Sequence, residues 1–360
     1  MTIPNVTDEP HRGAIGDLRL FQSNGFESIR KLISGELPGF PPSRLLGSRL
    51  TDVGLGTVSA AMPVTGWLED SFGLIEAGIF ALFADAPLAS ALWSGLPPGR
   101  VSTTSELNMS FVRPTSRATT NLVGRAETTH LGRQMGLSSI HITDQTGRLL
   151  AHGTTKCLIT DIPVDPEADY PLPDLGPDDT PDPYLRPAPG PDAYFSARDL
   201  IEGEPIELMY RSRGDSPRPP IWRLTGLRPL DARPGSLESR IPSSPWFANG
   251  GPSVYGGVLA WFADHCMGGA VYSTQEPGDL FAPLDLNVRY IRPAMINSGD
   301  LTGRAEVRHM GRRLRVTSCE ITNAEGKTVA MATSSALIVP DGARALVAGR
   351  SPDEIVGGDD

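Results

Sequence analysis

Two aspartates stand in the middle of long apolar runs, Asp85 in LIEAGIFALFADAPLASAL (74–92) and Asp264 in VYGGVLAWFADHCMGGAV (254–271). Neither run has a polar stripe, so a helix formed from it must be covered on nearly all sides. A carboxylate in such surroundings is either a buried polar group satisfied by backbone donors or a base whose pKa is raised by burial. Glycines open both runs, Gly78 in the first and Gly256 with Gly257 in the second. A helix that starts there offers free backbone N–H groups and the positive end of its dipole, with no Cβ to keep a carbonyl away; the same glycines also suit close helix packing. A base beside an oxyanion donor is the equipment for attack on a carbonyl carbon.

The elements that must position these residues are found by shifting the chain on itself. A shift of 179 places VGRAETTHLGRQM (123–135) over TGRAEVRHMGRRL (302–314), Trp67 over Trp246, Asp85 over Asp264, Asn108 over Asn287 and Gly147 over Gly326. One register kept over about a hundred residues signals duplication. Each copy reads as a strand, a loop, a long apolar helix and four strands, the turns DQTGR and NAEGK marking antiparallel hairpins. The expected class is α+β, an antiparallel sheet wrapped around one central helix, twice. Between Asp161 and Asp192 lie nine acidic residues, ten prolines and Arg186 as the one cation, so most of the net charge of −10 sits there. That composition predicts an extended, solvated linker. The expected division is an N-terminal extension (1–40), a first domain (41–160), the linker (161–195), a second domain (196–340) and a tail (341–360).

Several function classes are disfavoured. The chain has no basic stripe for nucleic acid, and the central aspartates with no flanking Lys or Arg clusters argue against membrane insertion. Cys157, Cys266 and Cys319 are isolated, which favours a reducing compartment. With a first segment unlike a signal peptide, a cytoplasmic location is expected. The histidines show no metal-ligand spacing, and no nucleophile elbow, phosphate loop or dinucleotide fingerprint is present; no cofactor is expected.

The order of elements, YGG opening the helix, an Asp nine residues after Tyr255, and LDLNVRYIRP following, resembles the hotdog-fold acyl-CoA thioesterases, the phenylacetyl-CoA (PaaI-like) branch in particular. That branch has His-Gly-Gly at the helix start, an Asp nine residues after the His and an Asn fifteen before the Asp. Asn249, Gly256, Gly257 and Asp264 match this spacing, with Tyr255 in place of the His. The first copy carries Asp70, Glu76, Ala77, Gly78 and Asp85 at the same places.

The resemblance implies a double hotdog in which each active site joins the glycine tip of one half to the aspartate of the other. One composite is then Asn249, Tyr255, Gly256 and Gly257 facing Asp85 and the hydroxyl of Thr104; the other is Asp70, Glu76, Ala77 and Gly78 facing Asp264 and Pro283. Asp70 and Glu76 crowd acid around Asp264, so the Asp85 composite is expected to be active and the Asp264 composite degenerate. Asn249 either orients the water or carboxylate or is a turn residue, and Arg312 either contacts CoA phosphates or lies on an exposed face. The implied substrate is an acyl-CoA or acyl-carrier thioester, with Asp as general base or nucleophile, in a homodimer or larger assembly. A non-catalytic acyl-CoA-binding module is the alternative; a hotdog enoyl-CoA hydratase is disfavoured, because Ser90 and Gly269 stand where it ordinarily has a His.

Overall fold

The structure, a computed structural model, describes residues 4–116, 118–214 and 217–357; the last residues of the expected tail, 358–360, lie outside the described ones. An N-terminal segment with helices α1 (Gly25–Ser34) and α2 (Pro41–Leu46) precedes the first half. That half consists of the hairpin β1 (Arg49–Gly54) and β2 (Thr57–Pro63), the helix α3 (Gly78–Trp93), and strands β3 (Arg100–Phe111), β4 (Asn121–Leu131), β5 (Met135–Asp144) and β6 (Leu149–Asp161). Three short helices follow, α4 (Ala197–Glu202), α5 (Pro205–Arg211) and α6 (Pro220–Thr225). The second half repeats the order with β7 (Arg228–Arg233), β8 (Ser236–Pro242), α7 (Gly256–Tyr272), β9 (Leu280–Pro283), β10 (Asp285–Tyr290), β11 (Asp300–Met310), β12 (Leu314–Thr322) and β13 (Thr328–Val339), and ends in α8 (Gly342–Val347) and α9 (Pro352–Gly357).

Both halves gain a strand over the expected order, because a hairpin rather than a single strand leads into the helix, and the second half gains one more, the short β9 ahead of β10. Burial alternates along β2 and β8, the period of a sheet with one covered face. The hairpin turns form where Asp144 and Asn323 accept hydrogen bonds from the backbone two and four residues on. Gly147 and Gly326 then take the positive φ that closes each turn.

The two sheets are continuous, in the order β1-β2-β4-β5-β6-β3-β10-β13-β12-β11-β8-β7, with β9 on β13. They meet where β3 pairs antiparallel with β10, and Asn108 sits opposite Asn287, its own repeat equivalent. A segment paired with its own copy about one residue is what a two-fold relation requires, so the duplication has fused a symmetric pair into one chain. Arg289 of the second half pairs with Glu106 of the first across this seam.

Packed side by side beneath the sheet, α3 and α7 each bury almost every side chain. Among the described residues no helix is long and apolar enough to cross a membrane. The linker departs from the expected solvated chain in its second part. Asp182 is buried between Arg12 and Arg44, each 3.3 Å away. Trp67 Nε1–H donates to the Arg186 carbonyl (2.9 Å), Tyr194 Oη–H to Glu69 (2.6 Å), and Phe195 N–H to the Ser71 carbonyl (3.0 Å). The linker thus packs onto the loop that leads into α3.

Candidate active site

The antiparallel halves bring the tip of each central helix against the aspartate of the other. Gly78 N–H donates to Asp264 Oδ2 at 2.7 Å, and Asp85 accepts from the Gly257 backbone and from Thr104 Oγ1–H at 2.7 Å. Both carboxyls are buried, with Asp85 3% and Asp264 5% exposed. Burial raises Asp85 to about 6 against the downward pull of its Thr104 and Gly257 hydrogen bonds. It raises Asp264 to about 7, reinforced by the nearby Glu76 charge and opposed by the Gly78 hydrogen bond.

The two composites differ in space. A cavity of about 470 Å³ is lined by Asp70, Glu76, Ala77, Asp264, His265 and Pro283, and further out by aromatic and aliphatic side chains such as Phe72, Phe281 and Tyr272. None of Asp85, Thr104, Asn249, Tyr255, Gly256 and Gly257 lines it. The room is thus at the composite that the sequence comparison marks as degenerate, and the reason is bulk. Tyr255 is buried, and its hydroxyl accepts from Ala86 N–H and donates to the Leu82 carbonyl (3.0 Å), tying α7 to α3. Tyr290 Oη–H donates to the Gly256 carbonyl at 2.8 Å, so a second ring closes the same corner. Across the two-fold, Glu76 replaces Tyr255 and the corner stays open.

Other expected residues also fall elsewhere. Asn249 is exposed, in the turn between Ala248 and Val254, with no side-chain hydrogen bond among the described residues; its spacing reflects the turn. Arg312 is exposed in the turn between β11 and β12, away from the cavity. Gly257 serves helix packing, since a Cβ there would lie 2.6 Å from the Leu82 carbonyl oxygen. At Gly78 a Cβ would lie 2.8 Å from Asp264 Cβ and 2.9 Å from its Oδ2, so glycine is what lets this carboxylate reach the helix tip. Asp70 accepts from Phe72 N–H (2.8 Å) and Leu74 N–H (2.9 Å), folding the cavity loop, and burial with the Glu76 charge raises it to about 7.

The hold of the opposite helix on Glu76 escaped the sequence reading. Glu76 accepts from Trp261 Nε1–H and pairs with His265 Nδ1, both at 2.7 Å. Burial acts to lower the His265 pKa, but Glu76 and the two aspartates outweigh it and the net direction is up. This places an imidazole, drawn towards its charged form, among three acids at the cavity floor. The hint was present in Glu76, an acid at the repeat position of a tyrosine, and in a histidine directly after Asp264; only the crossing of α3 and α7 unites them. Thr104 has no counterpart here, because Pro283 stands in its place, and Asp264 Oδ1 has no hydrogen-bond partner among the described residues.

Comparison with known proteins places this geometry. The thioesterase superfamily model matches the chain twice, at residues 72–151 and 251–330, each match beginning on the loop before a central helix. The proofreading thioesterase EntH of Klebsiella pneumoniae is 32% identical over 103 residues, 29% of this chain and 74% of that protein. Among solved structures, a tesB protein of Mycobacterium avium subs paratuberculosis superposes with a TM-score of 0.53 at 13% identity, covering 83% of this chain and 98% of that one. A conserved hot dog fold protein of unknown function from Alicyclobacillus acidocaldarius gives 0.51 at 14%, covering 80% and 95%; at such identities these two speak for the fold. With two copies of the matched domain, the hotdog architecture and a carboxylate at each helix tip, the chain belongs to the thioesterase superfamily, the thioester hydrolases, as a tandem double-hotdog member.

Proposed function

We propose that the chain hydrolyses acyl-CoA thioesters at the Asp264 composite, with Asp264 as general base and the Gly78 N–H as oxyanion donor. The observation that carries this reading is the cavity itself, which is apolar along most of its wall and ends on an ionisable carboxyl at a helix N-terminus. A base works best with a pKa near the operating pH, and burial beside Glu76 brings Asp264 to about 7.

The step follows from the contacts. Water attacks the thioester carbon and gives its proton to Asp264, whose Oδ1 is unpartnered among the described residues. The oxygen that becomes negative is stabilised by the Gly78 N–H and the positive end of α3. The C–S bond then breaks, and the proton held by Asp264 passes to the departing thiolate. Asp264 Oδ2 holds the Gly78 N–H in the structure, so a carbonyl seating at the tip competes for that donor. Losing it removes a hydrogen bond that favours the ionised carboxylate and so makes Asp264 more basic when it is needed. His265, drawn towards its charged form by Glu76, pulls the Asp264 pKa down against the acid cluster and so favours its ionisation.

Thiol release from a panel of acyl-CoA esters tests the reading. Asp264→Asn is expected to lower kcat/KM by at least about a hundredfold, the scale of a lost general base, and Asp85→Asn to cost much less. Equal losses, or the larger loss at Asp85, would move the reaction to the other composite. Tight acyl-CoA binding by the wild-type chain without thiol release would point to a binding module.

A further inference from the structure

We infer that the C-terminal helix α9 is a removable wall of the acyl cavity and sets the size of the acyl group that fits, an inference that rests on the hydrolase reading above. Pro352, Ile355 and Val356 of α9 and Leu346 of α8 line the same cavity as Asp264. Residues three and four apart share a helix face, so Pro352, Ile355 and Val356 form one apolar side, and that side faces the cavity.

The two C-terminal helices are held differently. The anchor is α8, where Ala343 N–H donates to the Gly278 carbonyl (3.0 Å) and Ala343 and Leu346 are buried. A helix of six residues such as α9 has little stability of its own. It packs on α8, and Asp353 reaches across to the first half, where Arg148 Nη2 meets its Oδ2 at 2.6 Å on the turn between β5 and β6. Ser351 orients the carboxylate, its Oγ–H facing Asp353 Oδ1 at 2.7 Å, while its N–H donates to Glu354. The Arg148–Asp353 ion pair therefore latches a segment of the second half over the cavity from the first. Because α9 belongs to neither sheet nor either central helix, its displacement enlarges the cavity while the core and Asp264 stay in place. An acyl chain long enough to reach α9 meets Ile355 and Val356, and a shorter one does not.

The experiment measures kcat/KM for saturated acyl-CoA esters from two to sixteen carbons, together with binding of cis-parinaric acid, a fluorescent fatty acid whose signal needs no hydrolysis. Ile355→Trp is expected to shift the optimum to shorter chains and to weaken parinaric acid binding, by about fourfold for each methylene displaced from apolar contact, with acetyl-CoA turnover unchanged. Truncation after Gly349 and Asp353→Ala are each expected to shift the optimum to longer chains, and the swap Arg148→Asp with Asp353→Arg to restore the wild-type profile. Should the truncated chain fail to fold, Ile355→Trp and Asp353→Ala decide the matter. An unchanged chain-length profile and unchanged parinaric acid affinity in both overturn the inference even if thioester turnover stands. Weakened parinaric acid binding in Ile355→Trp, in a chain that hydrolyses no acyl-CoA, would keep the wall and reject the hydrolase.

Discussion

Replacing Asp264 by asparagine should abolish turnover and stabilise the protein, and the size of the second effect can be worked out from the site. Burial and the Glu76 charge lift this carboxyl from an ordinary 3.8 to about 7. At about 1.4 kcal/mol for each pH unit, the fully ionised group costs the folded chain about 4 kcal/mol. The sign follows from linkage. The folded-state pKa is raised above the unfolded value, so the native protein holds a proton that the unfolded chain has lost between about pH 4 and pH 7. The stability associated with that proton is complete below pH 4 and lost as the pH rises through about 7. Asparagine carries no charge at any pH but accepts a weaker hydrogen bond from Gly78 N–H, which returns part of the gain. The expected net stabilisation at pH 8 is about 2–3 kcal/mol, or about 3–4 °C in Tm for a chain of this length, and it should shrink towards zero at pH 4. Thermal melts of both proteins from pH 4 to pH 8, beside thiol-release assays, measure it. A Tm difference that is the same at both ends of the range, or an Asp264→Asn protein that still releases thiol at the wild-type rate, would refute the reasoning.

Other consequences follow from the same contacts. The kcat/KM profile of the wild-type protein should rise with pH through about 7 as Asp264 loses its proton. Glu76→Gln, which removes the adjacent negative charge, should move that limb to lower pH; a limb that stays in place would mean a different group titrates. Gly78→Ala puts a Cβ 2.8 Å from that of Asp264 and 3.1 Å from the Trp261 backbone, and is expected to depress kcat and to cost about 1–3 kcal/mol of stability. Gly257→Ala, pressing on the Leu82 carbonyl, should cost a similar amount of stability, read from denaturant melts, with kcat much less affected. Tyr255→Phe, which leaves the Ala86 N–H and Leu82 carbonyl without the bridging hydroxyl, should lower stability by about 1–2 kcal/mol and leave kcat/KM unchanged. A large loss of turnover there would return Tyr255 to the substrate.

The duplication and the order of elements are properties of local pattern, and the sequence by itself determined them; the pairing of each glycine tip with an acid of the other half came only from the family resemblance and rests on the packing of α3 against α7. Apolar helices without a polar stripe must be wrapped, alternating strands must wrap them, and a register of 179 must make two such units. The choice between the composites depended on packing between residues far apart in the chain. Asp85 and Asp264 have the same local surroundings in sequence, yet Tyr255 and Tyr290 fill the space beside one while Glu76, held by Trp261 and His265 of the opposite helix, leaves space beside the other. Asn249 had the right spacing and the wrong direction, because a turn aims its side chain at solvent. The C-terminal helix carries no motif, and only the folded chain brings Asp353 to Arg148 and lays Ile355 and Val356 along the cavity. Spacing along one chain determines which residues can share a helix face or a hairpin, whereas cavity shape depends on which bulky side chains from separate elements meet, and that is decided when the two halves pack together.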